Sequence, residues 1–103
     1  MTVIRSRDFR GDRAWEALTV AEMNGITPRL HWTDEPYSWH VNDGPEVFVV
    51  LDGRVEMRFR EHGTEHAVLL EVGDVFYAAI GTEHVASPVG EARVLVIEHA
   101  GSV

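Results

Sequence analysis

The chain has 103 residues, with 17 acidic side chains against nine Arg, six His, no Lys and no Cys, a size that predicts one domain with a modest core. The net charge of −8 disfavours nucleic acid and anionic membranes as partners, because both are bound through clustered basic side chains. The lack of Cys excludes disulfides and thiolate metal sites, and no apolar run has the length of a membrane span or signal peptide, so we expect a cytoplasmic protein.

The first third of the chain leaves one structural alternative open. Residues 1–13 are polar and Arg-rich and are interpreted as a lead-in segment. Residues 14–25 are compatible with a short helix. The same region also fits a hairpin, in which strands 18–23 and 26–32 are joined by Asn24-Gly25, a dipeptide typical of type I′ turns. We favour the hairpin.

The rest of the chain alternates short apolar segments with turn residues. Segment 55–60 alternates apolar and charged residues, which predicts a strand with one dry and one wet face. The other strands expected here are 37–40, 47–51, 67–70, 75–80, 84–86 and 93–98. About nine short strands at regular spacing predict an all-β antiparallel sandwich or barrel.

Three potential metal ligands stand at the ends of expected strands: His40, Glu46 and His84. His40 ends one strand and Glu46 begins the next after a tight loop, so the two can face each other across antiparallel strands. His84 begins a strand much later in the chain, and it can join them if the sheet closes into a barrel. Imidazole and carboxylate are donors suited to a divalent metal in a chain without Cys.

The spacing of these residues resembles the two motifs of the cupin superfamily. The first motif has the form His-x-His, three or four residues, Glu, six residues, Gly; the second has the form Gly, five residues, Pro-x-Gly, two residues, His. Seven residues agree in type and spacing: His40, Glu46, Gly53, Gly73, Gly81, His84, and Asp74 as the common companion of Gly73. The resemblance covers about residues 18–99 and implies a small single-domain cupin over 1–103, an all-β jelly-roll barrel of antiparallel strands.

Two departures from the motifs change the site that the resemblance implies. Asn42 replaces the second histidine of the first motif, and Ala79 replaces the proline of the second. The usual three His and one Glu are reduced to His40, Glu46 and His84, with Asn42 as a candidate weak ligand or water holder. Two His and one carboxylate form the facial site of non-haem Fe(II) and can also bind Zn²⁺, and Mn²⁺ and Ni²⁺ are further candidates for the one divalent metal expected.

Four side chains are candidates for lining a ligand pocket in the barrel: Trp39, Phe48, Tyr77 and His31. The aromatic candidates are more often core residues. His31 alternates with Arg29 and is expected on an exposed face, with a position inside the barrel as the alternative. Four further residues are expected in solvent: His62, His66, Glu98 and His99.

The resemblance implies a metal-dependent protein that acts on a small organic ligand such as a sugar or oxyacid, with isomerase-like or dioxygenase-like chemistry. No residue stands out in the sequence as a separate general base. The alternative is a metal-free binding module for a sugar-like small molecule without catalysis, which the loss of one motif histidine favours. Small cupins pair through sheet edges, so a homodimer is also expected.

Overall fold

The computed structural model describes residues 1–102, which form nine β-strands and no α-helix within that range. The strands are β1 (Glu16–Thr19), β2 (Ile26–Thr33), β3 (His40–Val41), β4 (Glu46–Asp52), β5 (Val55–Glu61), β6 (Thr64–Leu70), β7 (Val75–Ala78), β8 (Glu83–Pro88) and β9 (Ala92–His99). A single 3-10 turn occupies Ser6–Asp8, and no helix in this range could cross a membrane.

Two antiparallel sheets face each other. One has five strands in the order β1-β2-β9-β4-β7, and the other has four in the order β3-β8-β5-β6. The predicted all-β antiparallel class is therefore confirmed. Because side chains alternate along each strand, β5 buries Val55 and Met57 completely and exposes Glu56 on its wet face. The core fills one end of the space between the sheets, where Val50 and Val94 are also fully buried.

The Asn24-Gly25 turn forms as predicted, and the helical alternative for residues 14–25 is wrong. Asn24 and Gly25 have φ angles of 52° and 81°, the left-handed values that a type I′ turn requires. The strand before it is shorter than expected and ends at Thr19. Val20 still donates to the Pro28 carbonyl at 2.9 Å, but Pro28 has no N–H to return, so the ladder stops there.

Strand registers bring the candidate ligands to one end of the sandwich. His40 pairs directly with His84 across β3 and β8, and Glu46 pairs with both Ala78 and Glu98 across β7 and β9. The predicted strand 37–40 is wrong in extent, because its first three residues still belong to the exposed connection and only His40 enters β3. The core lies at the opposite end, so the ligand end is left less densely packed.

Candidate metal centre

His40, Glu46 and His84 converge on one point. Each offers a ligand atom, and these atoms lie within 4.8 Å of one another. Glu46 is 8% exposed and His84 only 2%, so the site is held inside the sandwich. The converging residues come from three strands, and the long-range register of β3 on β8 is what brings His84 to the other two.

Backbone carbonyls orient both imidazole rings. Nδ1 of His40 lies 3.0 Å from the Ser38 carbonyl oxygen, and Nδ1 of His84 lies 3.2 Å from that of Thr82. A carbonyl oxygen can only accept, so Nδ1 carries the proton of the neutral ring, and Nε2 is the nitrogen whose lone pair would bind a metal. Metal-binding histidines use this arrangement to fix their tautomer and ring direction.

The separation of His84 and Glu46 is close to that of two ligands on one metal ion. Ligand atoms about 2.0–2.2 Å from a shared ion lie roughly 3.0–3.6 Å apart at tetrahedral or octahedral angles. Nε2 of His84 lies 3.7 Å from Oε1 of Glu46, so a shift of a few tenths of an ångström would bring both into coordination. Two neutral imidazoles and one carboxylate also make a chemically suitable donor set for a divalent ion.

A cavity of about 330 Å³ opens beside the three ligands. This volume is at the lower end of the range for small-molecule sites, so the cavity suits a small ligand. Phe48, Ala86 and Val96 line it and connect it to the core. Trp15 and Tyr37 form an aromatic wall, with ring centroids 5.3 Å apart, and Tyr37 lies 5.2 Å from the His40 ring.

Solved structures share this architecture. A cupin-2 domain protein from Shewanella frigidimarina is similar with a TM-score of 0.80 at 27% identity, over 94% of each chain. A cupin superfamily protein from Desulfitobacterium hafniense gives a TM-score of 0.77 at 14% identity, over 91% of this chain and 85% of that one. The chain is a small single-domain cupin. The family expected from the motifs is therefore confirmed.

One larger enzyme contains the same fold as part of its chain. Hydroquinone 1,2-dioxygenase from a Sphingomonas species, with 4-hydroxybenzoate bound, has a TM-score of 0.78 at 19% identity, over 89% of this cupin and 29% of the enzyme. At this identity the likeness concerns the fold. No protein-family model and no curated protein matches the sequence.

Glu98 of this cupin lines the cavity, so the expectation that it lies in solvent is wrong. It is directly opposite Glu46 on the neighbouring strand. Burial raises the pKa of Glu98 to about 7, and the negative charge of Glu46 and a hydrogen bond with Glu46 add to the rise. The sequence of β9 could have predicted this position. Val94, Val96 and Glu98 alternate along the strand, so Glu98 points to the same inner side as the two buried valines.

His31 also lies in the cavity, so its expected exposed position is wrong and the alternative is the one observed. Its Nδ1 is 3.1 Å from the Trp15 carbonyl oxygen, which again requires the proton on Nδ1 and leaves Nε2 as an acceptor. Desolvation lowers the pKa of His31 below 6.5, and the nearby Arg29 charge lowers it further. The ring is therefore neutral at pH 7.

Trp39 and Tyr77, two of the expected pocket residues, lie outside the cavity. Trp39 precedes the inward-facing His40 and points the other way, where its ring packs against the Arg60 guanidinium with 3.9 Å between Cζ and the ring centroid. Tyr77 occupies the outer phase of β7, next to the inward Phe76, and is 64% exposed. The aromatic residues that do line the cavity are Trp15, Tyr37 and the expected Phe48.

Asn42 is buried but does not line the cavity. Its Nδ2 donates to the Ala78 carbonyl at 3.0 Å, which ties the loop before β4 to the end of β7. Its Oδ1 is the one buried side-chain oxygen or nitrogen without a hydrogen-bond partner in residues 1–102. An orphaned carbonyl oxygen is costly to bury, so this atom would accept a hydrogen bond from a bound water.

Proposed function

We propose that this cupin binds one divalent metal ion through His40, Glu46 and His84 and acts on a small organic ligand in the adjoining cavity. The observation that carries the proposal is the convergence of three ligand atoms within 4.8 Å beside a cavity of about 330 Å³. The two backbone contacts to Nδ1 support it, because they direct both Nε2 lone pairs away from the backbone.

Among divalent ions we propose Fe(II). Two imidazoles and one carboxylate leave coordination positions open, as in non-haem Fe(II) sites, and the cavity beside Glu46 gives a ligand access to them. When bound, such an ion supplies Lewis-acid and redox chemistry. The protein itself would orient the organic ligand against Trp15 and Tyr37, while Phe48 and Val96 limit water at the inner wall.

One observation favours the alternative, a metal-free binding module. Asn42 stands where the motif has a ligand histidine, and its amide is engaged with Ala78. With three protein ligands instead of four, affinity for the ion is expected to be lower. In that case the cavity would bind its small molecule through His40, His84 and Glu46 as hydrogen-bonding groups.

Metal analysis separates the two functions. The protein is purified without oxygen, supplied with Fe(II), desalted and measured by plasma mass spectrometry. We expect about one ion per chain in the wild type and loss of most of it in His84→Ala. His84→Gln, which fills more of the buried space, is the second variant, with circular dichroism as the test of folding. His99→Ala removes an exposed histidine outside the cavity and should keep the ion. Sub-stoichiometric metal that His84→Ala leaves unchanged would overturn the proposal.

We also propose a homodimer, with the β7 edge as the contact between copies. Within residues 1–102, β7 pairs only with β4, so its other edge is available for pairing. Four large apolar side chains along β7 and its flanking turns are more than half exposed: Val72, Val75, Tyr77 and Ile80. A second copy of the chain would cover both the strand edge and this apolar surface.

A further inference from the structure

We propose that the cavity selects a small hydroxy acid, holding its carboxylate at Arg29 and Arg13 and accepting a hydrogen bond from its hydroxyl group at Nε2 of His31. This inference deepens the metal-dependent function proposed above and rests on it for the position of the ligand. The ligand would carry a carboxylate with a neighbouring hydroxyl group. Its carboxylate would contact the two arginines and its hydroxyl group would contact His31, none of which is a candidate metal ligand.

The first support is the charge of the cavity wall. Arg13 and Arg29 both line the cavity, and in the described part of the chain neither guanidinium has a carboxylate oxygen within 4.0 Å. Guanidinium groups without a partner bind carboxylates in a bidentate way, which gives both affinity and orientation. With a divalent ion bound, the positive charges around the cavity outweigh Glu16, Glu46 and Glu98, although the whole protein is strongly acidic.

The second support is the state of His31. Its Nδ1 donates to the Trp15 carbonyl at 3.1 Å, so Nε2 has a lone pair and no proton. Nε2 has no hydrogen-bond partner in residues 1–102. It is also not fully buried, so it is open to the cavity that His31 lines. The open atom is therefore an acceptor, and it matches a ligand that donates a hydrogen bond.

The third support is the position of the two contacts on one strand. Arg29 and His31 are two residues apart on β2, so their side chains point to the same face. Both residues line the cavity, so the guanidinium and the imidazole share one wall of it. An α-hydroxy acid carries its carboxylate and its hydroxyl group on adjacent carbons, which suits a guanidinium and an acceptor on one face of a strand. Trp15 and Tyr37 would then contact an apolar substituent.

Three matched probes test the inference by calorimetry on the protein loaded with Zn²⁺, a redox-inert ion: mandelate, phenylacetate and mandelamide. Phenylacetate lacks the hydroxyl group, and mandelamide lacks the charge. We expect mandelate to bind at least about tenfold more tightly than mandelamide, as charge-assisted bonds to Arg imply. We expect phenylacetate to bind about three- to tenfold more weakly than mandelate, the effect of one hydrogen bond.

Variants assign each difference to a residue. Arg29→Gln should remove most of the preference for mandelate over mandelamide without weakening Zn²⁺ binding, since loss of a positive charge does not disfavour a cation. Arg54→Gln makes the same charge change on an exposed arginine outside the cavity and should keep the preference. His31→Phe should remove only the difference between mandelate and phenylacetate.

Other outcomes overturn the inference. Equal affinities for mandelate and mandelamide, a preference that survives Arg29→Gln, or no heat from any probe at millimolar concentration would each do so. Failure of the metal proposal is distinguishable, because it appears as missing Zn²⁺ in the loaded sample. The same probes are then titrated into the metal-free protein, where Arg29 and Arg13 should still prefer the carboxylate.

Discussion

Replacing Glu98 by Gln should stabilise the metal-free protein at alkaline pH and change little in acid. Burial, together with the Glu46 charge and a hydrogen bond with Glu46, raises the pKa of Glu98 from 4.5 to about 7. Between these values the folded chain keeps a proton that the unfolded chain releases, so the free energy of unfolding falls as pH rises through this window. Gln cannot ionise, and its amide can still donate to Glu46.

The size of the effect follows from the shift and from the exposure of the carboxyl group. One pKa unit corresponds to about 1.36 kcal/mol, but Glu98 is only half-buried and water screens its charge, so we expect about 1 kcal/mol above pH 7. For a domain of this length about 1 kcal/mol moves Tm by roughly 4–8 °C. Near pH 4.5 and below, the gain should largely vanish because Glu98 is then mostly neutral in both states.

The stability gained by Glu98→Gln is measured by thermal melts at pH 5 and pH 8.5, with both proteins dialysed against EDTA. Glu56→Gln is the matched control, since it makes the same charge change on the exposed face of β5 and should shift stability by less than about 0.5 kcal/mol. An equal gain at both pH values, or no gain at pH 8.5, would refute the reasoning that burial beside Glu46 keeps Glu98 protonated.

Three further predictions concern the loop, the turn and the assembly. Asn42→Ala should lower the free energy of unfolding in urea by about 1 kcal/mol, because the bond to Ala78 is lost, while metal affinity stays within about twofold; a tenfold loss of affinity would make Asn42 a ligand. Gly53→Ala should lower the free energy of unfolding by at least about 2–4 kcal/mol in the same assay, because Gly53 has a φ of 76° and a Cβ there would overlap the Glu91 carbonyl oxygen. An unchanged free energy of unfolding would contradict this contact. Light scattering at micromolar concentration should give the mass of two chains for the wild type and of one chain for Tyr77→Arg, and a one-chain mass for the wild type would refute the β7 dimer.

Local patterns predicted the strands well because each strand and turn is encoded by neighbouring residues. Asn24-Gly25 needs only two left-handed residues, and the alternation in segment 55–60 directly gives the buried and exposed faces of β5. Motif spacing also located His40, Glu46 and His84, because their positions relative to turn glycines are short-range information. The same local information does not reveal which distant strands are neighbours in a sheet.

The residues that were misplaced depend on long-range pairing. Glu98 enters the site only because β9 lies beside β4 in one register, which puts it opposite a residue more than fifty positions earlier. Trp39 and Tyr77 depend on strand phase, and a shift of one residue moves a side chain to the other face. His31 is expected in solvent because it alternates with the charged Arg29, yet both side chains line the cavity.

The two faces of β2 explain why alternation of apolar and polar residues did not predict the cavity wall. Leu30 is buried on the outer face of the five-stranded sheet, where the lead-in segment, including Ile4, approaches it. The inner face therefore need not be the apolar one, and it carries Arg29 and His31 into the cavity. A polar inner face is tolerable there because it borders a cavity and not packed core, so the apolar side of β2 can face residues 1–13 instead. Removing that cover should expose Leu30 and destabilise the sheet before it displaces the candidate metal ligands, since His40, Glu46 and His84 belong to other strands.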